Sequence, residues 1–418
     1  MPRARKLAGL SPYIFAQLEE RVYRLREQGV ADIVDLGKAD PDHPSPDPVV
    51  RRLQETAADP ENHHYPAFRG SLFLRRRIAE WYKRRFGVNV DPDTEVMVLL
   101  GSKEGLFHVS LAYVSPGDVG LIPDPAFPAY NDGIWFAGGR VVRMPLLRKR
   151  GFTPDLSAIP EFEASKARVL FLNYPHNPTG ALAPDDFMAE VIRWCREREI
   201  LLCYDNAYSE ITFDGHRAKS LLQYPGGREV GVEFTSFSKT YNMAGWRLGA
   251  AVGHREAIES LLVVQSHVDS GVFAPIQFAG ATALETVWPG DFPERQRLMY
   301  QKRRDDALAR FAAIGWPVDK PPGTVYLWVP VPDDMTSETF ADKLLDEYHV
   351  VVAPGTAFGP SGEGHVRLSL TTADENVHKG VDRICTALRR WQPQGAPKSA
   401  EPAQKAGIDR IHQTSPAG

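Results

Sequence analysis

One stretch of the chain carries most of the information about its fold: Thr235-Ser-Phe-Ser-Lys-Thr-Tyr-Asn-Met-Ala-Gly-Trp-Arg247. Its lysine, Lys239, follows the two hydroxyl side chains of Ser236 and Ser238. The ε-amine of such a lysine can condense with an aldehyde, while the serines and Arg247 can donate hydrogen bonds to a phosphate dianion. The pattern therefore predicts a site for a ligand that carries both groups. An ordinary lysine in a surface loop is the alternative.

Length and composition limit the class of protein. The chain has 418 residues, which suggests two domains, and its 43% hydrophobic and 24% charged residues are typical of a globular protein. The net charge of −4 leaves no overall basic field that would attract nucleic acid or anionic lipid. We interpret the basic stretch at 75–85 as a solvated helix face.

Cysteines and apolar runs predict the compartment. Cys195, Cys203 and Cys385 have neither CxxC nor metal-ligand spacing, so we expect reduced thiols and no metal site. The first ten residues lack the apolar core of a signal peptide, and no apolar run approaches the ~18 residues that span a membrane. A soluble, cytoplasmic protein is expected.

The middle of the chain alternates short apolar runs with helical stretches. Apolar runs bounded by turns predict a parallel sheet that is buried on both faces, and hence an α/β sandwich over roughly 51–290. A long helix at 292–311 then leads to a C-terminal α+β unit with strands at 324–329, 350–353 and 365–370. The apolar runs of the sheet are Val96–Leu100, Val119–Ile122, Val169–Leu172, Ile200–Tyr204, Val232–Ser236 and Leu248–Val252.

The two ends of the chain are less regular. Ser11-Pro12 predicts a helix start, with the helix continuing to about Gly29, and a short strand follows at 33–36. The residues beyond Trp391 are rich in Pro, Ala, Gln, Lys and Ser, which predicts disorder. The expected organisation is an N-terminal arm with part of the small domain (1–50), a large domain (51–295), a small domain (296–390) and a tail (391–418).

Asp205 follows the apolar run that ends at Tyr204, where ligands bind in open α/β sheets. A pyridine ring that carries an aldehyde is an electron sink only while its nitrogen is protonated, and a buried carboxylate keeps it so. Taken alone, an acid after a strand is more often a helix cap or a turn. Tyr208 favours the ring site, because its hydroxyl could reach the phenolate oxygen of the same ring.

Two loops offer further ligands for the same group. Asn177, within Asn173-Tyr-Pro-His-Asn-Pro-Thr-Gly180, could donate to the phenolate oxygen, although this motif is also a good turn by itself. Gly101-Ser102-Lys103 follows a strand and opens a helix, so its amides and hydroxyl can bind phosphate. Neither a GxxxxGK[ST] loop nor a GxGxxG motif is present, which argues against a nucleotide-binding enzyme.

Two more residues complete the predicted site. Phe127, in a Pro-rich loop, could stack on the pyridine face, and simple packing is the alternative. Arg367 lies in the apolar strand at 365–370 and needs an anion, which a substrate α-carboxylate would supply in bidentate form. A structural salt bridge is the other interpretation.

Taken in their order along the chain, the motifs resemble those of fold-type I enzymes of the class I/II aminotransferase family over about residues 5–390. The resemblance implies pyridoxal 5′-phosphate (PLP) on Lys239, a mostly parallel seven-stranded sheet between helices, and a smaller α+β domain. It also implies a homodimer with shared active sites, in which Tyr65 reaches the cofactor phosphate of the partner subunit. The cofactor-binding residues that it implies are Ser102, Lys103, Phe127, Asn177, Asp205, Tyr208, Ser236, Ser238, Lys239 and Arg247.

At finer grain the chain resembles the bacterial LL-diaminopimelate aminotransferase branch, which acts in lysine biosynthesis. The resemblance rests on Gly101-Ser-Lys-Glu-Gly105, Asp269-Ser-Gly-Val-Phe273, Lys239-Thr-Tyr-Asn-Met243 and Phe358-Gly-Pro-Ser-Gly-Glu-Gly364. The branch usually reads Gly-Ile-Gly-Asp-Pro-Asp near the substrate, where this chain has Gly37-Lys-Ala-Asp-Pro-Asp42. It usually has a stacking tyrosine at the position of Phe127, and Pro-Gly-Asn-Gly-Phe-Gly where this chain has Pro354-Gly-Thr-Ala-Phe-Gly359.

The predicted reaction is a ping-pong transamination between an amino acid and an oxo acid, with Lys239 as the catalytic base and Gly37, Lys38, Asn177 and Arg367 at the substrate. Because of the changed loop, Lys38 could instead favour an acidic substrate such as aspartate or glutamate. The alternatives are an alanine- or aspartate-type aminotransferase of broader specificity and a PLP-dependent C–S β-lyase. A transcriptional regulator with an aminotransferase-like domain is disfavoured, since neither end of the chain could form a DNA-binding unit.

Overall fold

The computed structural model describes residue 7 and residues 13–391. Ser11-Pro12 and the expected disordered tail beyond Trp391 lie outside the described residues. The strands are β1 (Val34–Asp35), β2 (Val96–Leu99), β3 (Val119–Asp124), β4 (Arg140–Pro145), β5 (Ala167–Asn173), β6 (Leu201–Asp205), β7 (Gly231–Ser236), β8 (Gly249–Gly253), β9 (Tyr326–Pro330), β10 (Val350–Val351), β11 (Ala353–Pro354) and β12 (His365–Ser369).

The α-helices surround these strands. They are α1 (Ile14–Glu27), α2 (Asp47–Ala57), α3 (Leu72–Phe86), α4 (Ser102–Tyr113), α5 (Pro128–Ala137), α6 (Glu161–Ala164), α7 (Asp185–Glu197), α8 (Gly227–Val230), α9 (Phe237–Thr240), α10 (Arg255–Val268), α11 (Ala274–Thr282), α12 (Phe292–Ala313), α13 (Ser337–Tyr348) and α14 (Asp374–Trp391). Within the described residues, no helix is long and apolar enough to cross a membrane.

Seven strands form the main sheet in the order β2-β8-β7-β6-β5-β3-β4. The pairs β4-β3, β3-β5, β5-β6 and β6-β7 are parallel, whereas β8 is antiparallel to both of its neighbours. The mostly parallel seven-stranded sheet is thereby confirmed. The edge strand β4 was not expected, because two arginines interrupt its apolar residues and only part of it is buried.

Strand β5 shows why the apolar runs are continuous. Val169 and Phe171 pack with residues of α4, α5 and α10 on one face of the sheet. Leu170 and Leu172 pack with α7 on the other face. Since successive side chains point to opposite faces, the part of a strand that is covered on both sides is apolar at consecutive positions, here 169–172.

The C-terminal part of the chain forms most of a second core around a three-stranded antiparallel sheet, β11-β12-β9, to which Tyr208, Ile211 and Phe213 also contribute. The N-terminal strand β1 pairs in parallel with β10, so the start of the chain joins this unit. The expected strand at 350–353 is divided into β10 and β11, and α12 extends two residues beyond the expected end. The proposed domain boundaries stay a prediction.

This topology brings polar residues to one edge of the main sheet. Asn173, Asp205 and Ser236 are the last residues of β5, β6 and β7, which are adjacent and parallel. The carboxyl ends of these strands therefore form one side of a site, as expected for an open α/β sheet.

Candidate active site

Lys239 lies in the short helix α9, directly after β7. Ser236 caps this helix by accepting a hydrogen bond from the Ser238 amide at 3.2 Å. The Lys239 Nζ donates to the carbonyl of Ala39. Burial lowers the pKa of Lys239 to about 8, and Asp40 opposes this shift. Lys239 is therefore neutral, and able to attack an aldehyde, at a lower pH than an ordinary lysine.

Asp205 is a buried carboxylate at the end of β6. Its Oδ2 accepts a hydrogen bond from the Tyr130 hydroxyl at 2.8 Å, and its Oδ1 accepts one from the Ala207 amide at 3.3 Å. Burial nevertheless raises its pKa to about 6, although both bonds oppose the shift. A cation placed beside it would remove this penalty, and the protonated nitrogen of a pyridine ring is such a cation.

The start of α4 is shaped to bind a phosphate. Gly101 has a φ of +82°, and a Cβ at this position would lie 2.4 Å from the Nη2 of Arg247. A Cβ at Gly249 would lie 2.6 Å from the Ser102 amide nitrogen. The two glycines thus let a guanidinium and the first amides of a twelve-residue helix come close together. This donor set fits the phosphate of PLP.

Lys103 and Phe127 lie beside one another rather than deep in the site. The Lys103 Nζ is 5.9 Å from the centre of the Phe127 ring and 4.5 Å from the centre of the Tyr13 ring. Burial lowers the pKa of this lysine. Phe127 packs edge-on against Tyr130, with ring centres 5.9 Å apart, so it stands next to the partner of Asp205.

Arg367 is a buried arginine whose contacts are neutral groups. Its Nη1 donates to Asn177 Oδ1 at 3.0 Å, and its Nη2 donates to the Gly37 carbonyl at 2.9 Å. Its Nε is buried without a hydrogen-bond partner among the described residues. The structural salt bridge is not observed, because within this part of the chain no carboxylate pairs with Arg367. An anion from outside the protein would satisfy it.

Aromatic rings and Tyr208 connect this arginine to the rest of the site. The Arg367 guanidinium lies 4.2 Å from the centre of the Tyr326 ring, 4.7 Å from that of Phe358 and 5.2 Å from that of Phe15. The Tyr208 and Tyr326 hydroxyls share a hydrogen bond of 2.7 Å. Because the Asn177 carbonyl faces Arg367, its amide nitrogen is left to donate to a ligand.

Two of the expected site residues lie at the surface. Tyr65 is 88% exposed, so its side chain does not enter the pocket of its own chain. The Lys38 side chain is exposed, with its Nζ 3.8 Å from Asp40 Oδ2. Gly37 is buried, and the Gly37 and Lys38 amides both donate to Asp35 Oδ1, at 2.8 and 3.1 Å, which fixes the shape of this loop.

The structure also brings in residues that were not expected. Tyr130 holds Asp205, Tyr326 joins Tyr208 to Arg367, and Asn173 links two site residues. The Asn173 Nδ2 donates to the Asp205 carbonyl at 2.7 Å, and its Oδ1 accepts from the Asn177 amide at 2.7 Å. Only Asn173 had a sequence signal, a polar residue at the end of an apolar run.

Known proteins resemble this chain over nearly its whole length. The family model described as aminotransferase class I and II matches residues 31–384. The LL-diaminopimelate aminotransferase of Moorella thermoacetica is 47% identical over 93% of this chain and 99% of that protein. The enzyme of the same name from Syntrophobacter fumaroxidans is 46% identical over 91% of this chain and 98% of that protein.

Solved structures of related proteins also match this chain over nearly its whole length. Substrate-bound BacF from Bacillus subtilis has a TM-score of 0.88 and 37% identity, covering 93% of this chain and 98% of that one. A double mutant of the aspartate aminotransferase of Thermus thermophilus has a TM-score of 0.85 and 30% identity, covering 93% and 100%. Relatives with different substrates thus share this fold.

Proposed function

Because this chain belongs to the class I and II aminotransferase family and catalyses PLP-dependent transamination, we propose that its amino donor is LL-diaminopimelate and its acceptor 2-oxoglutarate. The observation that carries the proposal is the 47% identity to an LL-diaminopimelate aminotransferase, which extends over 93% of the chain. A match over 93% of the chain extends well beyond the segment around Lys239, although the loop at 37–42 departs from the usual sequence of the branch.

Each residue of the site has a separate role in the proposed reaction. When bound, PLP supplies an electron sink for the electrons of the substrate Cα–H bond. Lys239 Nζ would take the proton from this Cα and deliver it to the C4′ carbon of the cofactor, a role that its lowered pKa favours. Arg367 would hold the α-carboxylate, and the Asp205 carboxylate would keep the pyridine nitrogen protonated. Asn177 and Tyr208 would donate hydrogen bonds to the phenolate oxygen.

The exposed loop at Lys38 and Asp40, which we call the mouth of the site, supports a substrate whose distal end carries both an ammonium and a carboxylate. LL-diaminopimelate carries an ammonium and a carboxylate at its distal carbon, whereas aspartate and glutamate carry a carboxylate alone. Lys38 and Asp40 place one charge of each sign 3.8 Å apart in the loop next to Gly37. Since Asp40 partly neutralises Lys38, the loop is a poor site for an isolated carboxylate and a better one for a paired group.

A steady-state assay tests the donor and excludes the lyase. Purified enzyme with PLP is given LL-diaminopimelate, aspartate, alanine or cystathionine, with and without 2-oxoglutarate, and glutamate and pyruvate are measured. We expect glutamate from LL-diaminopimelate only when 2-oxoglutarate is present. Higher kcat/KM for aspartate or alanine would contradict the donor, and pyruvate from cystathionine without any oxo acid would indicate a C–S β-lyase.

We further propose that the enzyme is a homodimer in which Tyr65 enters the partner's site. Tyr65 is 88% exposed, and the segment after it packs against Gly271. A Cβ placed at Gly271 would lie 3.4 Å from the Ala67 carbonyl oxygen. Phe68 and Phe273 in the same region are 45% and 44% exposed, more apolar surface than an isolated loop requires. A second copy of the chain would cover these side chains.

Complementation between two inactive variants tests this arrangement. Lys239→Ala and Tyr65→Ala are each expected to have low activity. In a mixed dimer one site contains an intact Lys239 and an intact Tyr65, so mixing should restore up to roughly a quarter of the wild-type activity. No recovery in dimers that have exchanged subunits would place Tyr65 outside the partner's site, and a monomer by light scattering would exclude the dimer.

A further inference from the structure

The stretches Gly101–Gly105 and Asp269–Phe273 contain polar residues to which the transamination chemistry assigns no role, and they meet at the first turns of α4. Glu104 and His108 lie four residues apart on α4, so they share one helix face. Asp269 follows directly after α10 and meets this face. One ligand atom from each of the three side chains lies within 4.8 Å of the other two.

Two of these atoms are buried and lack a partner. The Oε1 of Glu104 and the Nδ1 of His108 are 4.0 Å apart. Their side chains are 10% and 7% exposed, and apart from the contact between the Glu104 and Asp269 carboxyl groups neither atom has a hydrogen-bond partner among the described residues. Buried polar atoms in native proteins are nearly always satisfied, so an orphaned pair that faces one point needs a ligand there.

The second oxygen of Glu104 and one oxygen of Asp269 already accept hydrogen bonds, and these bonds fix the orientation of the remaining carboxylate oxygens. The Glu104 Oε2 accepts from the Leu100 amide at 2.5 Å. Asp269 Oδ1 accepts from the Gly271 amide at 2.7 Å and from Gln265 Nε2 at 3.3 Å. Such outer contacts are what holds metal ligands in position in proteins.

A proton alone does not satisfy the three side chains. A proton shared between the Glu104 and Asp269 carboxyl groups would satisfy those two side chains. That proton leaves His108 Nδ1 without a partner.

We propose that Glu104, His108 and Asp269 form a site for a divalent transition-metal ion, with Zn²⁺ as its best-matched occupant. A metal–ligand bond to imidazole or carboxylate is about 2.0–2.2 Å long, which places two tetrahedral ligands about 3.4 Å apart, so the two atoms now 4.0 Å apart would move together by about half an ångström on binding. One imidazole and two carboxylates are hard-to-borderline ligands that suit Zn²⁺ and Mn²⁺ rather than Cu⁺. This proposal departs from the expectation of no metal, which rested on the cysteines.

The ion would act on structure and not on the transamination chemistry. It would tie the turn at Leu100, which precedes the phosphate-binding start of α4, to the loop at Asp269. That loop also contacts the segment after Tyr65. Metal binding is therefore expected to raise the thermal stability of the holoenzyme, since a ligand that binds only the folded state stabilises it.

Equilibrium dialysis of the holoenzyme against Zn²⁺, after treatment with a chelator, tests the site. We expect one Zn²⁺ per chain for the wild type, and binding weakened at least about 100-fold in His108→Ala, since loss of an outer-shell partner alone can cost 10–100-fold. The matched control is His378→Ala, which removes a partly exposed histidine that contacts Asp306 at 3.2 Å and should leave the stoichiometry unchanged. No Zn²⁺ on the wild type, or equal binding by His108→Ala, would overturn the proposal.

Two further measurements guard against a variant that fails to fold. Glu104→Gln keeps an acceptor for the Leu100 amide but loses the charge, and should also lose Zn²⁺ while it retains native circular dichroism. X-ray absorption at the zinc edge needs no variant at all: the proposal requires nitrogen and oxygen ligands at about 2.0–2.2 Å with imidazole scattering. Sulfur ligands, or a hexahydrated ion, would contradict it.

Discussion

The cofactor side and the substrate side of the site are built in different ways. On the cofactor side, Asn173, Asp205 and Ser236 end three adjacent strands of one sheet, and Lys239 follows the third. On the substrate side, Arg367 in β12 reaches back to Gly37 near the start of the chain. The first side is one continuous layer of sheet, whereas the second is assembled from segments far apart in sequence.

This difference explains how one fold serves several substrates. Side chains at the ends of packed strands are fixed by the core, so the chemistry of the cofactor can stay the same in relatives that act on different amino acids. The substrate side can change by substitutions in single loops, as at Lys38. Its loops need their own restraints, and the buried Arg303 supplies one: its Nη2 pairs with Asp42 at 2.8 Å and its Nε with Asp374 at 2.7 Å.

The largest effect is expected from Lys239→Ala on the cofactor side. The variant should keep PLP through the phosphate site but lose about 10⁴-fold in kcat, the upper range for removal of a general acid–base group. Cofactor content by absorbance and kcat by steady-state assay check this. Lys83→Ala, which changes an exposed lysine of α3, is the control. If Lys239→Ala retained more than about a tenth of the wild-type kcat, lysine would not be the base.

Arg367→Lys tests the substrate side. A lysine keeps the charge but not the planar fork, so the bidentate grip on the α-carboxylate is lost. We expect KM for the amino donor to rise about 10–100-fold, as for the loss of hydrogen bonds to a charged group, with little change in the affinity for PLP. An equal loss of cofactor affinity would show that the two sides are not separate.

The pH dependence of cofactor loading sharpens the comparison. Only neutral Lys239 reacts with an aldehyde, and burial lowers its pKa to about 8. The loading rate of the apoenzyme should therefore rise about tenfold between pH 7 and 9 and level off there. An ordinary lysine would give a rise of about 100-fold over the same range, without a plateau. Stopped-flow absorbance separates these outcomes.

The smallest effect is expected at the mouth of the site. Lys38→Met keeps most of the length of the side chain but removes the charge beside Asp40. Because the pair is exposed, we expect KM for LL-diaminopimelate to rise no more than about fivefold, with kcat unchanged. Initial-rate kinetics with LL-diaminopimelate and with glutamate measure the change. A larger rise in KM for glutamate than for LL-diaminopimelate would indicate that Lys38 binds the side-chain carboxylate of an acidic substrate.

The cofactor side could be predicted from the sequence because each residue has a local signal. Asp205 closes an apolar run, Lys239 has hydroxyl neighbours, and Gly101 opens a helix after a strand. Strand β4 escaped prediction because an edge strand is only partly buried and so keeps polar residues. The direction of β8 was equally inaccessible, since an apolar run does not show whether its strand is parallel or antiparallel.

The substrate side could be predicted only as a set of separate residues. Arg367 was recognised as an arginine that needs an anion, but its contact with Asn177 depends on how two distant segments pack. Tyr130 and Tyr326 resemble ordinary core aromatics in sequence, and only their hydroxyl contacts identify them. Glu104 and His108 likewise acquire a third partner, Asp269, only in the folded chain.

The most direct test of the proposed reaction is a single half-reaction without any oxo acid. Holoenzyme is mixed separately with LL-diaminopimelate, glutamate, aspartate and alanine, and the absorbance of the bound cofactor is followed by stopped flow. We expect LL-diaminopimelate to convert the cofactor to its amine form at least about tenfold faster than each of the other donors, a difference of about 1.4 kcal/mol in the barrier. Faster conversion by aspartate, glutamate or alanine, or none by LL-diaminopimelate, would contradict it.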